Sequence, residues 1–471
     1  MKTKQNIAKW SWLLLSGSMF LESAYADVRP NSLFSDHAVL QQGIDIPVWG
    51  TADDGENVTV EFNGQKVSTV AKDGKWMVRL KAQEAGGPYV LTCTGANVVE
   101  VKDIFVGEVW VCSGQSNMER QLGPRPPQRE LENWREEREN ARYPQIREYR
   151  VDRKYSTTPV SDAESKWVVC SPQTVSDFSA IGYFFARDLH KERKVPVGMI
   201  FSAYGGTKAE YWTNQAVLAG IPELMPLVRD YDKAVEEGQK VRYPSGLYCA
   251  MVAPLQPYAI KGVIWYQGES DCGQAGQYRT LFPAMIEGWR KDWKQGDFPF
   301  LYVQIAPYKD SDPELREAQL QTLSRVKRTA MVVTTDVGDA EDIHPVRKSP
   351  VGFRLFKAAQ ALAYGEDVVY SGPLFRKMRV KGSKAVLSFK HTGEGLVSNG
   401  GELKGFEISD DDVCFYPAQA YIEKNKVIVY SEQVESPVSV RYGWSNVPDV
   451  NLYNKDGFPA SPFRVDKNSM K

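Results

Sequence analysis

The stretch "EVWVCSGQSNME", residues 108–119, decides how this chain is read. Val109 to Cys112 form an apolar run, Gly114 breaks it, and Ser116-Asn117-Met118-Glu119 open what the pattern predicts to be a helix. An apolar strand that turns through glycine into a helix is the unit of a sheet covered by helices, where ligands bind at the carboxyl ends of the strands. Ser116 stands at such an end. Ser116 to Glu119 reads S-x-x-E, the capping box that starts a helix without any chemistry. A serine at a strand-to-helix turn also lies beside backbone N–H groups that can stabilise an oxyanion, as a nucleophile requires. Met118 stands where the second glycine of a G-x-S-x-G elbow would be, so that motif is absent.

The same texture continues outward. "VPVGMIFSAYGG" (195–206), "KGVIWYQGES" (261–270), "FPFLYVQIAP" (298–307) and "TAMVVTTDVGD" (329–339) alternate with helical stretches such as "AIGYFFARDLHKER" (180–193) and "SPVGFRLFKAAQALAYG" (349–365). Several runs are apolar on both faces, which predicts a mostly parallel sheet inside an α/β domain over 106–366. Before it, residues 27–105 read as short alternating runs broken by Asn-Gly and Asp-Gly, a β-sandwich module. After it, "KVIVYSEQV" (426–434) and "PVSVRYGWSN" (437–446) mark a second β-rich module over 367–471. Residues 119–150 carry a Pro-rich turn and charges of both signs, read as a solvated insertion that could wall the site.

Bulk properties narrow the function. Lys plus Arg (58) and Asp plus Glu (59) cancel to a net charge of -1, so nothing favours nucleic acid or an acidic membrane. The start, "MKTKQNIAKWSWLLLSGSMFLESAYA", reads as a signal peptide over 1–26, with lysines, an apolar stretch and Ala24-Tyr25-Ala26 before a mature start at Asp27. The expectation is export to the periplasm or medium without a membrane span, since the apolar stretch falls short of the ~20 residues a bilayer needs. Six cysteines are too few for a disulfide scaffold, although one or two bridges fit the count. With four histidines and no CxxC spacing, no metal site and no cofactor are expected.

A nucleophilic serine needs a base. His344, in "GDAEDIHPVRKS" (338–349), follows an apolar run and has Asp339, Glu341 and Asp342 close by; a surface histidine beside acids is the plainer alternative. His37 and His391 fall in the β-rich modules and His190 in a basic helical stretch. Gly205 and Gly206 after "VGMIF" would bring backbone N–H groups to an oxyanion, or simply make a tight turn. Gln267 and Glu269 end another strand, as an oxyanion donor and an acid or as a polar cap.

In order and spacing these pieces resemble the SGNH hydrolases, specifically the sialate O-acetylesterase family. The resemblance runs through "LFSDHAVLQ" (33–41) with "PVWG" (47–50), "GEVWVCSGQSNME" (107–119), "YGGTKAEYW" (204–212), "APLQPYAIKGVIWYQGES" (253–270), "DIHP" (342–345) and "NLYNKDGFPASPFR" (451–464). It implies a flavodoxin-like catalytic domain flanked by β-sandwich modules, and metal-free removal of O-acetyl groups from sugars, chiefly sialic acids, with water as co-substrate. Carried over, Ser116 is the nucleophile, His344 the general base, and Ser116 N–H, Gly206 N–H and the Gln267 amide the oxyanion hole, with Gly205 as a further donor. Asp342 is favoured as the acid orienting His344, with Glu269 and Glu341 as rivals. A sialic acid carboxylate would call for an arginine, with Arg120, Arg125 and Arg347 as candidates. The chain departs from the family at "GLYCAMVAPL" (246–255), where relatives are expected to read "LYNGMIAPL", which puts substrate preference in question. The runner-up activity is an acetylxylan or other glycan acetylesterase; the alternative of another class is an inactive carbohydrate-binding protein.

Overall fold

The computed structural model describes residues 27–466; the leader read at 1–26 lies outside them. Its organising element is the 17-residue strand Val98–Gly114. The first half alternates between exposed and covered residues, and everything from Ile104 onward is buried. The pattern changes because the strand leaves one environment for another. Its start closes an antiparallel β-layer with Gly86–Thr94, and its end lies in the middle of the central sheet.

In that sheet Glu108–Gly114 pairs parallel with Val197–Ala203 on one side, and Trp110–Gly114 with Gly262–Tyr266 on the other. Ile146–Arg150 lies outside Val197–Ala203, and Phe300–Val303 and Thr329–Val332 follow Gly262–Tyr266, all in parallel pairs. Trp167–Val169 adds an antiparallel edge, so the whole is a large mixed sheet. Every residue of Val197–Ala203, Gly262–Tyr266 and Phe300–Val303 is buried, as continuous apolar runs covered on both faces must be. Neighbours in sequence serve opposite faces. Trp110 packs edge-on against Phe185 of helix Ala180–Arg193, 5.0 Å between rings, whereas Trp265 meets Trp289 of helix Ala275–Trp293 at 5.8 Å on the other side.

The N-terminal module shares its core with one face of the central domain, since Val48, Val60 and Trp76 belong to the same apolar cluster as Trp265 and Leu281. Within it Asn63 and Gly64, both at positive φ, join Asn57–Phe62 to Gln65–Val70, as a two-residue hairpin requires. The boundary read at 105/106 falls inside the continuous strand Val98–Gly114. The C-terminal module has a separate core around Leu387, Ile408, Val440 and Phe463. It is tied to helix Pro313–Arg325 by Arg464 on Glu317 (2.8 and 3.1 Å) and by Arg316 donating to Ser445 O at 2.8 Å. All six cysteines are free thiols, so neither bridge that the count allowed forms.

One glycine fixes the geometry at the end of the organising strand. Gly114 has φ +135°, and a Cβ there would stand 2.1 Å from Tyr266 O of the adjacent strand. Gly114→Ala is therefore expected to destabilise the protein by roughly 3 kcal/mol or more in denaturant unfolding. A change below about 1 kcal/mol, within the range of ordinary substitutions, would show that the turn can relax.

Candidate functional site

The turn after Gly114 is stapled to the end of the neighbouring strand. Gln115 N–H donates to Tyr266 O at 2.9 Å, and its side-chain oxygen accepts from Gly268 and Ser270 N–H, both at 3.3 Å. Ser116 follows as the first residue of the four-residue helix Ser116–Glu119, half-buried. The capping box does not form. Gln115, extended and without a side-chain cap bond, precedes the helix, and the Glu119 carboxylate turns away to accept Gly205 N–H at 3.0 Å and to pair with Arg125 and Arg153. Glu119 thereby pins the Tyr204–Gly206 loop onto the Ser116 turn. A Cβ on Gly205 would meet Glu119 Oε2 at 2.8 Å and Ser116 Cβ at 3.2 Å, which is why a glycine stands there.

Asn117 connects this turn to the rest of the site. Its Nδ2 donates to Glu269 Oε1 at 2.6 Å and to Ile343 O at 3.0 Å, and its Oδ1 accepts from Lys348 Nζ at 2.5 Å. Ile343 precedes His344, so the histidine loop is bound to the residue after Ser116 across 226 positions of sequence. His344 is held by its own N–H on Asp342 Oδ1 at 2.8 Å, with Nδ1 facing that oxygen at 3.8 Å and Gln128 Nε2 at 3.4 Å. Its Nε2 is buried and has no hydrogen-bond partner among the described residues. Burial, followed by the Lys348 charge, lowers the imidazole pKa to about 4 against the opposing pull of Asp342, so the ring is neutral over the physiological range.

The acids separate clearly. Asp342 also accepts from Arg129 Nε at 2.9 Å, which brings the charged insertion to the site as a wall. Glu269 is half-buried, its Oε1 accepting from Asn117, and desolvation raises its carboxyl pKa. Glu341 is turned outward onto Lys309 at 2.9 Å, so it is not a rival for His344.

Of the expected oxyanion donors, Ser116 N–H and Gly206 N–H make no hydrogen bond among the described residues, and Gly206 holds φ +69°. Gly205 N–H is committed to Glu119. The Gln267 amide is a correction as well: fully buried, it donates to Thr207 O at 3.1 Å and to Asp271, leaving neither N–H for a ligand. It supports the Gly206 loop from beneath.

Two of the candidate arginines also fall away. Arg120 is fully buried and donates to the carbonyls of Gln121, Gly123 and Arg129 (2.6–2.9 Å), so it binds its own insertion rather than a substrate. Arg347 donates to Asp336 O at 3.1 Å and faces Glu132. Arg125, partly exposed beside Glu119, stays at the site.

The sequence reading missed a wall next to the Gly206 loop. Tyr204 lies 5.7 Å from Tyr155, which lies 6.0 Å from Tyr211; Arg153 caps Tyr204 at 5.5 Å and Arg242 caps Tyr155 at 5.3 Å. Tyr155 also abuts Gly246, at the start of the departing "GLYCAMVAPL" segment. Only Tyr204, directly before the paired glycines, carried a signal that could have marked it. Volume does not single out the site: a concavity of ≈ 800 Å³ lined by His37, Lys166 and Trp167 does not include Ser116. Among the described residues no group of three or more His, Cys, Asp or Glu is placed to hold a metal ion.

The family model described as carbohydrate esterase, sialic acid-specific acetylesterase, matches residues 106–360. The chain is 29% identical to the sialate O-acetylesterase of Mus musculus over 519 residues, covering 94% of this chain and 95% of that protein. It is 30% identical to that of Homo sapiens, covering 88% of each. A carbohydrate acetylesterase from Xanthomonas citri superposes with a TM-score of 0.85 at 38% identity, over 93% of this chain and all of the other.

Arg120 and Arg125 should behave differently. Arg120→Met leaves three carbonyls unpaired and is expected to cost about 2–4 kcal/mol in unfolding free energy. Arg125→Ala, with Arg153 still on Glu119, should stay within about 1 kcal/mol. Equal losses would contradict the structural role of Arg120.

Proposed function

The chain belongs to the carbohydrate esterase family of sialic acid-specific acetylesterases and is a carboxylic ester hydrolase, and we propose that it removes O-acetyl groups from sialic acids by a serine mechanism. The observation that carries the mechanism is the Asn117–Ile343 hydrogen bond, which ties the Ser116 turn to the His344 loop. Ser116 Oγ attacks the acetyl carbonyl as His344 Nε2 takes its proton, the atom left buried and unpartnered. The oxyanion is received by Ser116 N–H and Gly206 N–H. As the tetrahedral intermediate collapses, His344 returns the proton to the sugar oxygen and the acetyl group stays on Ser116. Water, deprotonated by His344, then releases acetate. Asp342, 3.8 Å from Nδ1, is the acid that orients the ring and steadies its charged form.

The sialic acid preference is supported by the family and by the tyrosine wall, whose rings suit a sugar face while Arg242 offers a cation to a carboxylate. Arg242 makes no ion pair among the described residues. No helix there is long and apolar enough to cross a membrane. Export through the leader over 1–26 completes the reading; a mature protein that begins elsewhere than Asp27 by N-terminal sequencing would revise it.

Ser116→Ala and His344→Ala are each expected to lower kcat/KM for 4-nitrophenyl acetate by roughly 10³-fold or more; near-normal turnover in either would sink the mechanism. Because the folded imidazole has its pKa lowered to about 4, the neutral base persists as pH falls, and the acidic limb of kcat/KM should lie well below the ordinary histidine value of about 6.5. Asp342→Asn should cost more activity than Glu269→Gln relative to folded protein. O-acetylated sialic acid should be hydrolysed faster than acetylated xylan; the reverse preference would make the chain a plant-glycan acetylesterase. Glycan binding without acetate release from any ester would make it a binding protein.

A further inference from the structure

Beside the site lies a buried lysine that takes no part in the mechanism. Lys348 is 2% exposed, and its Nζ lies 2.5 Å from Asn117 Oδ1 and 5.7 Å from the centre of the Tyr266 ring. An ammonium inside a protein costs several kcal/mol unless it is compensated. Its position is unfavourable in a second way: Lys348 precedes helix Ser349–Tyr364 and accepts Val351 and Gly352 N–H at 3.1 Å, so a cation sits at the positive end of a helix dipole. A local rule broken at two levels marks a place where function sets the residue.

The compensating charge is Glu269, and it is reached only through Asn117. The asparagine bonds three elements: Oδ1 accepts from Lys348, and Nδ2 donates to Glu269 and to Ile343 O. Lys348 and Ile343 flank His344 in the chain, so the histidine loop is gripped on both sides by one amide. We propose that Lys348 is a positioning residue for His344: through Asn117 it fixes the imidazole loop against the Ser116 turn, and in its protonated form it adds a positive charge to the surroundings of the ring.

The proposal rests on His344 acting as the base. The groups that face the imidazole are Asp342 and Gln128, with Lys348, Arg125 and Arg120 as the surrounding cations; those that face Lys348 are Glu269, Asp342, Arg120 and Asn117. Among the charges acting on His344, Lys348 contributes the largest share after burial, and it disfavours the imidazolium. The lysine in turn has its own pKa lowered to about 7 by burial, with Glu269 opposing that shift. Burial first, and then the positive charge of Lys348 in its protonated form with smaller shares from Arg125 and Arg120, keeps the resting base unprotonated, and Asp342 is the carboxylate that favours its charged form during turnover.

The test is the titration of the imidazole itself. The chain has four histidines, so ¹³C-histidine labelling with His344→Ala for assignment isolates the His344 signal. Lys348→Met is expected to raise the His344 midpoint by roughly half a pH unit or more, with the acidic limb of acetyl ester hydrolysis moving alongside. Lys348→Arg should keep the midpoint near wild type. Since Lys348→Met strands Glu269, the paired variant Lys348→Met/Glu269→Gln removes both charges and should fold and show the same rise. An unchanged His344 midpoint in the folded paired variant overturns the proposal. The titration needs no turnover, so it judges Lys348, whereas loss or retention of hydrolysis in Ser116→Ala judges the esterase mechanism separately.

Discussion

Three loops that are distant in sequence meet because one asparagine side chain has no water to bond with. Asn117 is fully buried, so its carbonyl and both amide hydrogens must be satisfied inside the protein, and the partners available are Lys348, Glu269 and the Ile343 carbonyl. Leaving any of them unpaired would strand a buried charge or dipole at a cost of about 1–5 kcal/mol. That penalty makes the arrangement nearly all-or-none, and it is what brings the Ser116 turn, the Glu269 turn and the His344 loop to one place.

The scaffold supplies the rigidity that such a contact needs. Val98–Gly114 runs from the N-terminal β-layer into the middle of the central sheet, so the strand that leads into the turn is held by both layers. Gly114 then allows the closest approach to Tyr266, and Gln115 bonds to the same strand end. Glu119 does for the Gly205–Gly206 loop what Asn117 does for the His344 loop. The site is therefore built on strand ends and on a single short helix, with loop 204–206 and loop 339–348 each tied to it by a buried side chain.

Much of this was legible from period and punctuation. Apolar runs on both faces announced strands buried in a covered sheet, Asn63-Gly64 announced a hairpin, and the strand-glycine-serine order announced the turn that carries Ser116. What was not legible depended on contacts between residues far apart. S-x-x-E at 116–119 predicts a capping box from local geometry, but Glu119 found a stronger bond in Gly205 N–H and two arginines from other segments. Gln267 looked like a free donor because its strand position was readable, while its partners Thr207 and Asp271 were not. Arg120 read as a candidate for a substrate carboxylate, yet it is buried and bonded to three carbonyls of its own insertion. Lys348 gave no signal at all, since a lysine in "VRKS" belongs to an ordinary basic run until its burial is seen.

The central claim is that Ser116 is the one activated nucleophile, made so by His344 across the Asn117 bridge. Labelling the full-length protein with a fluorophosphonate, followed by peptide mapping, tests it most directly. The account predicts a single adduct on the peptide containing Ser116, abolished in His344→Ala. An adduct on another residue, or equal labelling of Ser116 without His344, would contradict it.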